Sequence, residues 1–142
     1  MNFQHLDQLK AKLDGFRPLS PAIVASLRTE MMLQWTYHSN AIEGNTLTLK
    51  ETKVAMEGIT IGGKTLREHC EAINHREAIL YVEELSTTGE LLKERDIKLL
   101  HQLVLKNIDD QNAGAYRNHN VIIAGAEHRP LPRRLPTFFS IN

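Results

Sequence analysis

Apolar residues recur along this chain every three or four positions, which is the spacing that predicts α-helices. A first amphipathic helix is predicted over residues 2–14, where Gly15 and Pro18 close it. A second helix is predicted over residues 21–42, because proline suits the first helical position and Ser20 can cap it. The apolar positions are Phe3, Leu6, Leu9 and Leu13 in the first helix and Ile23, Leu27, Met31 and Trp35 in the second.

Two capping boxes mark where the next two helices begin, because each places a glutamate three residues after a threonine. Thr48 and Glu51 open a short helix that we expect to run through residue 56. Thr65 and Glu68 open a long helix to about residue 85, and a fifth helix is predicted over residues 94–108. The residues expected to face inward are Leu66, Cys70, Ile73 and Leu80 in the long helix and Ile97, Leu100, Val104 and Ile108 in the last one.

The character of the sequence changes after residue 109. Residues 121–123 are β-branched and residues 124–127 can turn the chain back, which predicts a β-hairpin. Prolines at positions 130, 132 and 136 deny regular structure to the tail. The predicted fold class is mainly α with one β-hairpin. We divide the chain into an N-terminal helix at 1–18, a helical region with the hairpin at 19–130 and an irregular tail at 131–142.

Composition narrows the function classes. The length of 142 residues fits one domain. The 17 basic and 17 acidic side chains cancel, so charge gives no argument for binding nucleic acid or an anionic membrane. A single cysteine, Cys70, excludes an internal disulfide and suits a reducing compartment. Because we find no signal-peptide pattern and no apolar run of ~18 residues, we expect a cytoplasmic protein.

The most informative segment covers residues 39–45. Ser39 and Glu43 are four residues apart and therefore share one face of a helix, and Gly44 and Asn45 then offer a way out of that helix. A carboxylate held at such an abrupt helix end is placed to meet a cation. The arrangement resembles the inhibitory motif of Fic-domain proteins, in which serine or threonine precedes glutamate at this spacing and glycine or asparagine follows.

Four segments in family order carry this resemblance, at residues 39–45, 71–78, 114–117 and 121–125. From about residue 19 to residue 130 the chain resembles the front half of a Fic/DOC-family protein whose inhibitory helix precedes its catalytic core. The family signature, His-x-Phe-x-Asp/Glu-Gly-Asn-Gly-Arg followed by a second arginine, does not occur in the sequence. We therefore interpret the chain as a truncated Fic protein with an incomplete helical bundle.

The resemblance implies an activity and roles for named residues. Fic proteins of this kind transfer AMP from ATP to protein hydroxyl groups with Mg²⁺, so the implied partners are a protein substrate, ATP and Mg²⁺. The residue matching Glu43 pairs with the second signature arginine and takes the place of the γ-phosphate, and Ser39 would fix the helix end. Residues Val121, Ile122, Ile123, Ala124 and Gly125 resemble the flap strand, which holds the target by strand addition.

Because the signature is absent, we expect this chain alone to be inactive and to bind neither ATP nor Mg²⁺. An alternative is a non-catalytic, antitoxin-like module that inhibits a Fic partner in trans, and a degenerate fragment is a third. At residue level, Glu43 could be a helix-end carboxylate without a partner, Ser39 could bond back to its own helix, and the hairpin could be an ordinary surface hairpin.

Two further expectations concern metals and assembly. His69, Glu71 and His75 lie near one another on one helix, but they are too few and too local to predict a zinc site. An incomplete bundle leaves apolar faces on residues 65–85 and 94–108 without cover. Such faces usually find a partner, so we expect a homo-oligomer and no binding to nucleic acid or membrane.

Overall fold

The computed structural model describes residues 3–117 and the separate positions 120, 122, 124, 125 and 127. In this part the chain forms five α-helices and no strand, which confirms the mainly helical class. The predicted hairpin falls largely outside the described residues, since Val121 and Ile123 are not among them. The helices are α1 (Gln4–Asp14), α2 (Pro21–Ile42), α3 (Leu49–Met56), α4 (Leu66–Thr88) and α5 (Glu94–Leu105).

Helix α4 is the centre of the arrangement. It packs against α2, α3 and α5, and α2 also packs against α3. Helix α1 packs against none of the other four helices. None of the described helices is long and apolar enough to cross a membrane.

Side-chain caps explain where three of the five described helices begin. Ser20 accepts a hydrogen bond from the amide of Ile23, and Thr48 and Thr65 form the two predicted capping boxes. Helix α4 continues three residues past the predicted end, to Thr88, because the left-handed residue that stops it is Gly89, with φ 67°.

Helix α5 ends at Leu105 and not at residue 108 as predicted. The backbone leaves the helical conformation at Lys106, where φ is −53° and ψ is 127°. The buried amide of Asn74 in α4 donates to the carbonyls of Val104 and Lys106 at 3.2 and 2.6 Å. A residue of α4 therefore supplies the partner that the end of α5 needs.

The core is small and unusually polar. Its apolar centre consists of Leu47, Ala55 and Ala72, with Met56 and Ile61 packed against them. The buried polar residues are Thr36, Thr52, His69, Asn74 and Asp96. Each of these polar side chains forms a hydrogen bond, as buried polar groups must if the fold is to be stable.

Three groups of residues that the sequence pattern places inside are exposed. In α5, Ile97 is 45% and Val104 is 42% exposed. Leu66 is 74% exposed because it is the first residue of α4 and lies beyond its neighbours. The apolar row of α2 is also exposed, since no other described helix lies over it. Its members are Ile23, Leu27, Met31 and Trp35, with exposures of 50 to 59%. By contrast, Cys70 is buried as predicted, and Ile73 and Leu80 are half-buried.

The bond from α4 to the end of α5 generates a stability prediction. Replacing Asn74 with alanine removes a buried donor from two carbonyls, so we expect the free energy of unfolding to fall by about 1–3 kcal/mol. Urea denaturation followed by circular dichroism measures this change. Asn112→Ala serves as a control, because the Asn112 side chain bonds only to exposed Asp109. An equal loss in both variants would contradict the assignment.

Candidate functional site

Helix α2 ends in a Schellman turn, in which two amides past the helix bond back to its last carbonyls. The amide of Gly44 donates to the carbonyl of Ala41 at 3.1 Å, and the amide of Asn45 donates to that of Asn40 at 3.0 Å. Gly44 has a φ of 95°, a region that glycine occupies more readily than other residues. The abrupt stop predicted after Glu43 is therefore present.

Glu43 is the C-cap residue of α2, and its side chain is exposed. Within the described part of the chain its carboxylate has no hydrogen-bond or ion-pair partner. The negative end of the helix dipole does not favour an anion at this position, so the helix itself gives the charge no support. An unpaired carboxylate at a rigid helix end is available to a cation that approaches from outside these residues.

Ser39 lies one helical turn before Glu43 and lines an open groove between α2, α4 and α5. The groove is mainly apolar, with Trp35, Ile79 and Val82 among its lining residues. The Ser39 hydroxyl forms no hydrogen bond to the residues described, so the bond back to its own helix is not made. Ser39 and Glu43 lie on the same side of α2, as their spacing predicts.

Asn45 fixes the end of α2 to the first turns of α4. Its side-chain amide donates to the Glu71 carboxylate at 2.9 Å and to the Glu68 carbonyl at 3.1 Å. Its side-chain oxygen accepts from the amide of Leu47 at 2.9 Å. With the backbone bond to Asn40, all of these contacts hold the segment after Glu43 in one place. Asn45 therefore positions the glutamate without contacting it.

Glu68 strengthens the same junction. One carboxylate oxygen accepts from the amide and hydroxyl of Thr46 at 3.0 and 2.5 Å, and the other accepts from the amide and hydroxyl of Thr65, both at 2.8 Å. The hydroxyl of Thr46 and the other donors favour the ionised form and lower the pKa of Glu68 from 4.5 to about 2. Lys64 adds a bond to the carbonyl of Thr46 at 2.6 Å.

A second glutamate shares the local geometry of Glu43. Glu57 is the C-cap of α3, with φ −83° and ψ 0°, against −82° and 1° for Glu43. Gly58 follows it with φ 81° and closes the same kind of turn on Ala55. Backbone geometry therefore does not distinguish the two carboxylates. Their surroundings differ: Glu43 lies at the end of α2, one turn beyond the groove residue Ser39, whereas Glu57 lines a cavity between α2, α3 and α4.

The three residues considered as metal ligands each have their own partner. His69 accepts from the amide of Ile61 at 2.9 Å through Nε2, and its Nδ1 lies 2.7 Å from the carbonyl of Thr65. Glu71 is paired with Arg67 at 2.8 Å as well as with Asn45. No group of three metal-ligating side chains occurs among the residues searched, which are those the structure describes.

His75 instead joins two helices. Its Nδ1 lies 3.1 Å from the hydroxyl of Thr36, which is fully buried, and burial lowers the pKa of the imidazole. Arg76, next in sequence, donates to the carbonyl of Met56 at the end of α3 at 3.1 Å. The segment 71–78 therefore acts through packing and capping in this structure.

Comparison with known proteins identifies relatives of this chain. No protein-family model matches the chain. The chain is 35% identical over 134 residues to the protein adenylyltransferase Fic of Nematostella vectensis, which covers 88% of this chain and 30% of that protein. The Aedes aegypti protein of the same name is 31% identical over 131 residues, or 86% of this chain and 26% of the relative.

Solved structures agree. Fic-1 from C. elegans superimposes with a TM-score of 0.69 at 32% identity, covering 81% of this chain and 35% of that one. A Fic domain containing signaling protein from Bacteroides thetaiotaomicron gives a TM-score of 0.72 at 28% identity, covering 83% and 46%. This chain belongs to the Fic family. It spans between a quarter and a third of the length of the two curated Fic relatives described above.

The Fic-like segment that precedes the predicted flap packs on α5. The amide of Gly114 donates to Nδ1 of His101 at 3.1 Å, and a Cβ at this glycine would lie 3.2 Å from the carbonyl of Lys98. The Lys98 ammonium lies 4.9 Å from the centre of the Tyr116 ring. Tyr116 thus contributes to packing on α5. Of the flap residues, Ile122 is 82% exposed and Gly125 has φ 77°.

Sequence reasoning missed the polar residues that join the helices around the candidate site. Thr36, Asn74 and Arg76 are polar residues inside or beside helical stripes, and each binds a neighbouring helix. A polar residue at an inward helical position is the signal that could have found Asn74. The partner of each bond depends on helix packing and is not visible in the sequence.

The Glu68 junction generates a pH prediction. Since its folded pKa lies below the ordinary value, the stability that Glu68 contributes is present above about pH 4.5 and is lost as pH falls toward 2. Urea midpoints measured between pH 7 and 2.5 should fall less steeply for Glu68→Gln than for the unmodified chain. The exposed Glu57→Gln is the control. Identical profiles for Glu68→Gln and the unmodified chain would refute this role.

Proposed function

We propose that this chain is the inhibitory and helical part of a Fic protein that transfers AMP from ATP to hydroxyl side chains of a target protein. The names of the relatives and the fold shared with Fic structures support this activity. The observation that carries the inhibitory role is the Glu43 carboxylate, which is held at a fixed helix end without a partner among the described residues.

The inhibitory action follows from the chemistry of a carboxylate and a guanidinium. An arginine can bind either a carboxylate or a phosphate through two parallel, charge-assisted hydrogen bonds, but not both at once. We propose that Glu43 occupies the signature arginine of a Fic core and so excludes the γ-phosphate of ATP from it. Asn45 and Glu68 maintain this position, because they bind the α2 end to α4.

Among the residues that the structure describes, no arrangement of side chains fits ATP or Mg²⁺. Within the described residues no three acidic, histidine or cysteine side chains form a set of metal ligands, and Lys64 is engaged by Thr46 and Glu51. The signature that would cradle the phosphates is not in the sequence. We therefore assign nucleotide and metal binding to the signature region, and the target to the predicted flap at residues 121–125.

The first consequence is that the purified chain does not transfer AMP. Incubation with labelled ATP and Mg²⁺ should leave both the chain and added proteins unlabelled, because no signature histidine or arginine is available. A full-length Fic relative labelled in parallel is the positive control. Robust self-labelling of the chain would contradict the proposal.

The second consequence concerns Glu43. A chimera that joins residues 1–117 to the remainder of the Nematostella vectensis relative supplies a signature arginine. Hydrogen bonds to charged groups contribute about 1.5–3 kcal/mol, so Glu43→Gly in the chimera should raise AMP transfer by about 10- to 100-fold. Initial rates of labelling at fixed ATP measure this change.

Glu57→Gly in the same chimera is a matched control, since it removes a carboxylate from an identical helix end on α3. It should leave the rate unchanged. Equal activation by both substitutions would show that loosening a helix end, and not freeing an arginine, causes the effect. No activation by Glu43→Gly would reject the inhibitory role.

A second candidate is inhibition in trans. The exposed groove beside Ser39 favours it, because a separate Fic core could cover these apolar residues while meeting Glu43. In that case the chain should reduce AMP transfer by a Fic core that lacks its own inhibitory helix, and Glu43→Gln should abolish the reduction. If the unmodified chain has no effect at saturating concentration, the trans role is excluded.

A further inference from the structure

We propose that His101 is a positioning residue for target binding, and that it acts only while its imidazole is neutral. Its Nδ1 atom holds residues 112–117 against α5 through the amide of Gly114. This segment leads in sequence to the predicted flap at residues 121–125. The inference deepens the proposed function and rests on it for one point, namely that the flap binds the target.

The hydrogen bond to Gly114 fixes the protonation state of His101. A backbone amide can only donate, and the Gly114 amide nitrogen lies 3.1 Å from Nδ1. Nδ1 must therefore carry a lone pair, so the proton of the neutral imidazole is on Nε2. When the ring takes up a second proton, both of its nitrogens become donors, and the new N–H faces the N–H of Gly114. Protonation of His101 thus removes this bond.

The packing between the segment and α5 is open. A cavity of about 520 Å³ lies between them, with His101, Leu105 and Tyr116 among its lining residues. Ala115, Tyr116 and His101 are all exposed, so solvent reaches the imidazole. Because apolar packing is loose here, polar contacts such as the bond to Gly114 determine where the segment lies.

Gly114 is a point at which the segment comes close to α5. Its φ is 71°, and a Cβ at this position would lie 3.2 Å from the carbonyl of Lys98 and 3.3 Å from Cβ of Gln102. The backbone conformation at Gly114 sets the direction in which the following residues leave α5. A shift at Gly114 therefore moves the start of the segment that leads to the flap.

Other charged or titratable side chains face the same cavity. They are Lys98 on α5, and Asp109, Tyr116 and Arg117 on the chain that follows α5. Lys98 is paired with Glu94 at 2.8 Å. Among the described residues that line the cavity, none belongs to α4. Of these side-chain types, only histidine ordinarily changes its charge between pH 5 and 8, so His101 decides how the segment responds to pH.

Nuclear magnetic resonance of the full chain tests the contact itself. Between about pH 7.5 and 5, protection of the Gly114 amide from hydrogen exchange, corrected for the intrinsic rate, should fall about 2- to 10-fold, which is the contribution of one net hydrogen bond. His101→Asn should keep the protection throughout, because its Oδ1 can accept in place of Nδ1 and does not titrate. His101→Ala should lack the protection throughout. Protection that does not change with pH in the unmodified chain would overturn the proposal.

The chimera described above, carrying Glu43→Gly, tests the role in target binding. Casein is the acceptor, because its disordered chain can add as a strand. His101→Ala should raise the KM for casein about 2- to 10-fold and leave kcat and the KM for ATP unchanged, whereas His101→Asn should behave like the parent. Gly114→Ala should act like His101→Ala, because its Cβ meets the carbonyl of Lys98.

Two controls separate positioning from a loss of structure. Alanine is the best helix former, so His101→Ala should leave α5 intact, which circular dichroism checks. His5→Ala removes an exposed histidine from α1, which packs against no other described helix, and should leave both KM values unchanged. An unchanged KM for casein in His101→Ala, or no rescue by asparagine, would overturn the proposal. A chimera without any AMP transfer would reject the proposed function instead, while the exchange measurement still decides the His101 contact.

Discussion

The structure depends on the polar side chains of α4, which provide hydrogen-bond partners for the helices around it. Asn74 binds the carbonyls at the end of α5, Arg76 binds the end of α3, and His75 pairs with a threonine of α2. Backbone groups at helix ends have no partner within their own helix. Three consecutive residues of α4 thus form hydrogen bonds to three neighbouring helices, two of them at helix ends. These bonds compensate for a small apolar core.

The candidate site is an extension of this arrangement. Asn45 and Glu68 bind the end of α2 to the beginning of α4, and the turn between them presents Glu43 to solvent. Glu57 has the same backbone geometry, so a carboxylate at a glycine-terminated helix end does not by itself identify a functional site. The two glutamates differ in their surroundings, because Glu43 lies next to the groove that contains Ser39 and Glu57 lines a cavity between α2, α3 and α4.

Local signals in the sequence predicted the helices well. Ser20, Thr48 and Thr65 act through residues at most three positions away, so their caps could be read directly. The Gly44–Asn45 exit from α2 is equally local. The end of α5 could not be predicted, because it depends on Asn74, which lies thirty residues earlier than Val104. The exposure of the apolar row of α2 could not be predicted either, because it depends on which helices are present to cover that row.

The isolation of the Glu43 side chain has an evolutionary consequence. Since no described residue contacts its carboxylate, the folded state gains little from having glutamate there. A single codon change at this position would therefore escape the quality control that removes unstable variants. Under the proposed inhibitory role, such a change would alter regulation while the protein still accumulates normally, so only selection on activity would preserve this glutamate.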